Sequence, residues 1–174
     1  IGNWPGKTIE KREGYLIYKG YKIKVVDLPG IYSFSTYSEE ELISRDFIAK
    51  EKPDVVINVV DALHLERNLF FTLQLIELEA KLVIALNQVD LLEKSDFTID
   101  SKKLENILNI PVIPTVAIEG KGIEKLIEKC IEIYEGKIRY EPIKIEYGKE
   151  VEERIDELIN VVPYDNSYPK RWFI

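Results

Sequence analysis

Hydrophobic and polar positions change rhythm along the chain, and each rhythm predicts an element. Tyr15 to Tyr18 and Tyr21 to Val26 are β-rich runs parted by the turn signal Lys19-Gly20, so the pattern predicts a hairpin. Its second arm alternates Lys22, Ile23, Lys24 and Val25, one wet face and one dry, and stops at Asp27. Ser38-Glu39-Glu40-Glu41 has the Ser-x-x-Glu form of a capping box, which predicts a helix running to about Glu51 and ended by Pro53. Val55 to Val60 and Lys81 to Leu86 read as strands buried on both faces. Leu69, Leu73 and Ile76 mark a helix between them, Leu104, Ile107 and Leu108 a short one after them, and Pro111 to Thr115 a further strand. Ile123, Leu126, Ile127, Cys130, Ile131 and Tyr134 recur with the spacing of an amphipathic helix. Residues 1–13 are polar around a Trp4-Pro5-Gly6 turn and read as a loop.

Strands alternating with helices, the strands themselves buried, predict an α/β fold with a mainly parallel sheet and helices on both faces. Ligands of such sheets sit at the carboxyl ends of the strands. Past Gly136 the rhythm changes: residues 137–147 form a charged connector, and Val151, Ile155, Leu158, Ile159 and Val162 mark another amphipathic helix. The expected division is 1–136 for the α/β domain and 137–174 for a connector and the start of a helical domain. The closing stretch Tyr164 to Ile174 is expected to leave its aromatics exposed, as an interrupted domain would.

Composition narrows the function. With 174 residues the chain can bury a full core. A formal net charge of −7 disfavours a nucleic-acid surface, which needs a basic stripe, so no nucleic-acid partner is expected. One Cys rules out an internal disulfide. No apolar run approaches the roughly 20 residues of a bilayer span, so a soluble domain is expected. The chain has no Met, and Ile1 does not normally follow a clipped initiator, so a piece of a longer protein is expected.

Three motifs then fall at predicted strand ends, in order. Asp27-Leu28-Pro29-Gly30 suits a γ-phosphate and Mg²⁺ sensor: the Asp can hold Mg²⁺ through a water, and the Gly brings an N–H close without a side chain. Its plainer reading is a turn, since Asp-x-Pro-Gly is a common one. Asn87-Gln88-Val89-Asp90, followed by Leu91, suits a guanine reader. One carboxylate accepts from both N1–H and N2–H₂ of guanine, whereas adenine turns an acceptor toward it. Asn87 would brace the loop. Gln88 stands where the usual motif has Lys, so weaker affinity is expected. Thr115-Val116-Ala117, with Ile118, occupies the place of a loop that caps guanine with a backbone N–H; an ordinary strand exit competes with that reading. Thr8, ahead of Asp27, would complete a Mg²⁺ shell from a mobile loop.

The order and spacing are those of a GTPase, yet the phosphate-binding Gly-x-x-x-x-Gly-Lys-Ser/Thr is nowhere in the sequence. About 20–30 upstream residues, a strand, the loop and a helix, are expected to supply it. Without them the chain should bind GTP poorly and its sheet should have an unfilled position. Other candidates are blander. Cys130 lies in an apolar stripe, His64 has no second His, and Glu39 to Glu41 suit a helix N-terminus better than an iron site.

With those residues in place, the chain resembles the cytosolic G domain of bacterial and archaeal ferrous iron transport protein B, a P-loop GTPase-like fold. Gly2-Asn3-Trp4-Pro5-Gly6-Lys7-Thr8, Val26-Asp27-Leu28-Pro29-Gly30-Ile31-Tyr32-Ser33 and Leu65-Glu66-Arg67-Asn68-Leu69 are similar to that family's stretches. The tail from Gly148 resembles the start of the family's helical domain. The resemblance implies a GTPase at the cytoplasmic face of the cell membrane that regulates or drives Fe²⁺ uptake through a membrane domain of the same polypeptide. It implies GTP/GDP and Mg²⁺ as ligands, and K⁺ through a motif this chain lacks. It makes Thr8 the switch I threonine, places Asp27 and Gly30 in switch II, with Thr8 and Gly30 catalytic and Thr8 and Asp27 at Mg²⁺, and gives Asn87 and Asp90 the guanine. Ile31 stands where Ras-like proteins have a water-orienting Gln, so slow hydrolysis is expected. A homo-oligomer stays open. So do two competing functions: a ribosome-assembly or translation GTPase, and a non-hydrolysing module gated by guanine nucleotide.

Overall fold

The structure, a computed structural model, describes residues 2–3, 10–34, 38–92, 97–163 and 166–174. Thr8 lies outside them. Strands β1 (Gly2–Asn3), β2 (Glu10–Tyr18) and β3 (Tyr21–Asp27) form an antiparallel sheet. Tyr18 faces Tyr21 across the turn, where Lys19 and Gly20 both take positive φ, 46° and 85°. Such turns match the twist of the flanking strands. The loop expected over residues 1–13 is strand at both ends, since Gly2 and Asn3 pair with Lys11 and Glu10. Ladder bonds come from the backbone, so an edge strand forms without an apolar face.

Helix α1 (Glu39–Asp46) starts at the predicted capping box. Ser38 Oγ accepts from Glu41 N at 3.1 Å, and Glu41 Oε2 accepts from Ser38 N at 3.3 Å. The helix rewinds into a π-helical stretch over Phe47–Glu51 and stops at Lys52, φ 46°, before Pro53. Next come β4 (Val56–Asp61), a 3₁₀ turn (Ala62–His64), α2 (Leu65–Glu77), β5 (Leu82–Asn87), α3 (Val89–Leu92), α4 (Ser101–Leu108) and β6 (Val112–Thr115). A second 3₁₀ turn (Ala117–Glu119) leads to α5 (Ile123–Tyr134), and α6 (Lys149–Leu158) and α7 (Lys170–Phe173) close the chain.

Strands β4, β5 and β6 form a parallel sheet with β5 in the middle. Side chains of β5 alternate between two cores. Leu82, Ile84 and Leu86 join Val60, Leu75, Ile76, Leu104 and Leu108 on the face of α2 and α4. Val83 and Ala85 join Ile113, Leu126 and Ile133 under α5. Helices therefore cover both faces of β5, whereas β4, expected to be buried on both faces, is buried on one only and leaves Ile57 and Val59 exposed. Each fully buried Leu, Ile or Val contributes about 1.5–3 kcal/mol, so a strand with five buried apolar residues in succession, Leu82 to Leu86, anchors the whole layer. Asn58 is the polar exception in β4: buried, it donates to Thr72 Oγ1 of α2 at 2.7 Å, and Thr72 donates on to Asn68 O.

The connector after α5 is tied to the α/β body. Tyr140 Oη donates to Ala80 O at 2.9 Å and accepts from Leu82 N at 2.8 Å, clasping the start of β5. Burial pushes its phenol up to about 12, so the donor stays protonated. Two of the terminal aromatics differ from expectation, while Phe173 is exposed as expected and Tyr164 lies outside the described residues. Tyr168 and Trp172 stack at 5.1 Å and pack half-buried against the larger core, because α1 offers Tyr168 a partner in Asp46, 2.6 Å from its hydroxyl. Burial raises the Asp46 pKa, but hydrogen bonds from Lys50, Tyr168 and Arg45 outweigh it and hold the carboxyl at about 2.

Two stability tests follow from these contacts. Tyr140→Phe strands Ala80 O and Leu82 N and should cost about 1–3 kcal/mol, seen as a lower urea midpoint at unchanged slope. Asp46 titrates near 2 in the folded chain against an ordinary 3.8. Its contribution is therefore present above the ordinary value and lost as pH falls through the folded one. The penalty of Asp46→Asn should be largest near neutral pH and shrink as the pH is lowered toward 2; urea melts showing the same penalty at every pH would contradict this.

Candidate functional site

Parallel register brings the strand ends into one row. Asp61 of β4 faces Asn87 of β5, and Asn87 faces Thr115 of β6. Asn87 Oδ1 accepts from Thr115 Oγ1 at 3.2 Å and from Ala117 N at 3.0 Å, tying the end of β5 to the loop after β6. The chain then turns sharply. Gln88 is exposed with φ 65°, a left-handed backbone that costs a non-glycine residue about 1–2 kcal/mol. Its carbonyl accepts from Leu91 N at 3.1 Å, which starts α3 and places Asp90 in its first turn. Asp90 is half-buried, and among the described residues nothing hydrogen-bonds its carboxylate; Leu91 beside it is 40% exposed. Among the described residues, the half-buried Asp90 carboxylate thus stands next to a braced amide with its acceptor oxygens unused.

The loop after β6 closes on itself. Val116 N donates to Lys121 O at 3.1 Å and Lys121 N to Val116 O at 3.2 Å, while Glu119 N and Gly120 N donate to Val116 O and Ala117 O. Val116 is buried, and Ile118 is 94% exposed. Val116, Ala117 and Ile118 were expected at the guanine, with a backbone N–H of this loop capping the base. The Val116 N–H is engaged by Lys121 and the Ala117 N–H by Asn87, while among the described residues no hydrogen bond engages the Ile118 N–H.

Asp27 ends β3 with an exposed carboxylate that no hydrogen bond or ion pair holds among the described residues. The loop behind it is fastened to two helices. Buried Ser44 donates to Pro29 O at 3.2 Å, Ser33 Oγ to Glu41 Oε1 at 3.0 Å, and Phe34 N to Gln74 Oε1 at 2.8 Å. The Arg67 guanidinium lies 4.4 Å from the Tyr32 ring centroid. Ile31 packs against the larger core. Gly30 has a different character: a Cβ there would meet nothing within 4 Å, so packing does not require glycine.

Other candidates settle quickly. His64 Nδ1 pairs with Asp61 Oδ2 at 2.7 Å. Burial pushes the Cys130 thiol up to about 11, leaving it unreactive at neutral pH. Among the described residues no three metal-binding side chains cluster, and no helix is long and apolar enough to cross a membrane. Gly122, in the Gly120-Lys121-Gly122 stretch directly ahead of an amphipathic helix, was not singled out in the sequence reading.

Known proteins share this arrangement. The profile of the family described as Ferrous iron transport protein B matches residues 1–130. The chain is 43% identical over 171 residues to the Fe(2+) transport protein A/Fe(2+) transporter FeoB fusion protein of Porphyromonas gingivalis, covering 97% of this chain and 20% of that one. It is 39% identical over 175 residues to the Fe(2+) transporter FeoB of Escherichia coli K12, covering 98% and 22%. The chain thus spans about a fifth of the length of these relatives. Among solved structures, the cytosolic domain of the T. maritima FeoB iron transporter in a GDP form superposes with a TM-score of 0.91 at 36% identity, covering 98% of this chain and 68% of that one. The FeoB G domain of Methanococcus jannaschii is 49% identical with a TM-score of 0.70, covering 74% and 80%. By sequence and by fold, this chain belongs to the ferrous iron transport protein B family.

Proposed function

We propose that this chain is the guanine-nucleotide-binding region of a membrane transporter for ferrous iron, working at the cytoplasmic face and hydrolysing GTP slowly to GDP and phosphate. Residues 137–174 then lead toward the membrane portion of the same polypeptide. The observation that carries the reading is the pairing of braced Asn87 with the unengaged carboxylate of Asp90 at the carboxyl end of a parallel sheet. The T. maritima relative was solved in GDP and GMPPNP forms, which supports the same ligand class here.

Asp90 accepts from N1–H and N2–H₂ of guanine. Adenine leaves it facing an acceptor, and a buried polar group without its partner is what gives such sites their discrimination. Asn87 keeps the base loop at the right height, and the backbone at Ile118 meets the base carbonyl. Asp27 offers an exposed hard oxygen, which fits a Mg²⁺ held through water. Mg²⁺ supplies neutralisation of the β- and γ-phosphates. Gly30 lets its backbone approach the γ-phosphate, and Thr8 joins it from switch I. Ile31 is apolar and packs partly buried against the core, so no side chain at that position orients water, and hydrolysis is slow.

The phosphate cradle is absent from the sequence, and two strand edges support a reading in which a further strand brings it. Among the described residues β3 pairs with β2 alone and β4 with β5 alone. Val25, Ile57 and Val59 are 50%, 42% and 62% exposed. A strand seated between β3 and β4, with its Gly-rich loop and helix, covers those residues and brings K⁺ coordination with the loop. The apolar side chain of Ile31 also favours a second reading, a module gated by nucleotide without turnover. Single-turnover hydrolysis in the full-length protein separates the two.

Asp90→Asn in the full-length protein should lower GDP affinity at least about 100-fold and favour xanthine nucleotides; unchanged GDP binding in calorimetry would remove the guanine assignment. Thr8→Ala should leave GDP affinity nearly intact and reduce GTP turnover. Equal turnover would take Thr8 out of the catalytic set.

A further inference from the structure

Two glycines flank Lys121 in the loop ahead of α5, and they are not equivalent. Gly120 and Gly122 both take left-handed backbone, φ 72° and 79°. A Cβ on Gly120 would meet nothing within 4 Å. On Gly122 it would lie 2.3 Å from Pro114 O, 3.0 Å from Thr115 Cγ2 and 3.2 Å from Thr115 Cα. Backbone oxygen cannot yield as a flexible side-chain tip can. Gly122 is therefore the point where the first turn of α5, whose Leu126 N donates to Gly122 O at 3.0 Å, sits directly on the end of β6.

That contact lies at the root of the base loop. Thr115, which a Cβ would press upon, is the residue whose Oγ1 donates to Asn87, and two residues later Ala117 N donates to the same oxygen. The loop between is closed by the Val116–Lys121 pair, so it moves with its two ends. A displacement of β6 from α5 must open the distance between the loop and Asn87.

We infer that Gly122 is a positioning residue for base recognition: its missing side chain seats α5 on β6 and thereby holds the Thr115–Ala117 segment on Asn87, fixing the guanine reader before nucleotide arrives. The inference rests on the guanine reading of Asn87 and Asp90. Gly120 supplies a matched control, because a side chain there meets the same backbone constraint without the collision.

The test compares Gly122→Ala with Gly120→Ala, and Gly122→Asn with Gly120→Asn, since Asn tolerates left-handed backbone and isolates the collision from the strain. In the chain without nucleotide, hydrogen exchange at the Ala117 amide should quicken at least about tenfold in the Gly122 variants and stay near parent in the Gly120 variants. In the full-length protein, GDP affinity should fall about tenfold or more in the Gly122 variants only. Against an Asn87→Ala background the same change should cost under about twofold, because the partner it positions is already gone. Equal effects at the two glycines, a full loss on top of Asn87→Ala, or Gly122 variants that fail to fold while the Gly120 variants fold would overturn the inference. If the parent binds GDP no better than ADP, the guanine reading fails by itself, and the nucleotide-free exchange still decides the role of Gly122.

Discussion

The parallel pairing of β5 with its two neighbours is the constraint on which the other features depend. Five consecutive apolar residues buried on both faces leave β5 no alternative register, since a one-residue slip would exchange its two cores. With register fixed, Asp61, Asn87 and Thr115 must end side by side. The contacts of Asn87 that shape the candidate base site start from that row. The hydrophobic layer thus sets the geometry, and the hydrogen bonds of Asn87 convert it into a shaped site.

The phosphate side is organised differently. Asp27 ends an antiparallel hairpin, and the loop behind it is held by single hydrogen bonds to α1 and α2. Each net contribution of that kind is about 0.5–1.5 kcal/mol, small enough for a bound phosphate to rearrange. The base side is closed by a denser set of contacts, with Val116 and Lys121 exchanging backbone bonds and Gly122 locked against Pro114. On the proposed function, this pairs a rigid reader with a loosely fastened sensor, the combination a nucleotide-dependent switch requires. The same α1 that fastens Pro29 through Ser44 also carries Asp46, the partner of Tyr168, so the sensor loop and the C-terminal segment share one helix.

Much of this was legible from residue order. The unbroken apolar run before Asn87 announced a doubly covered strand, and Ser38 with Glu41 announced the start of α1, because burial and capping depend on local pattern. The positions of Asn87 and Asp90 followed from the strand end that delivers them. The strand at residues 10–13 was not legible, since edge pairing depends on the backbone and leaves no hydrophobic signature. Nor were the burial of Tyr168 and Trp172 or the Tyr140 clasp, which rest on partners far away in sequence. Gly122 was hidden for the same reason. Its tight setting comes from Pro114 and Thr115 across the strand-to-helix joint, which its sequence neighbours Lys121 and Ile123 do not reveal.

The central claim is that the carboxyl end of this sheet reads a guanine base. A nitrogen–proton correlation titration of the isotope-labelled chain with GDP and, separately, with ADP tests it directly, because weak contacts register even where the phosphates have no cradle. GDP should shift the amides of residues 87–91 and 115–118 in a saturable way, and ADP at equal concentration should leave them in place. Equal responses to the two nucleotides, or shifts confined to residues remote from the strand ends, would contradict the account.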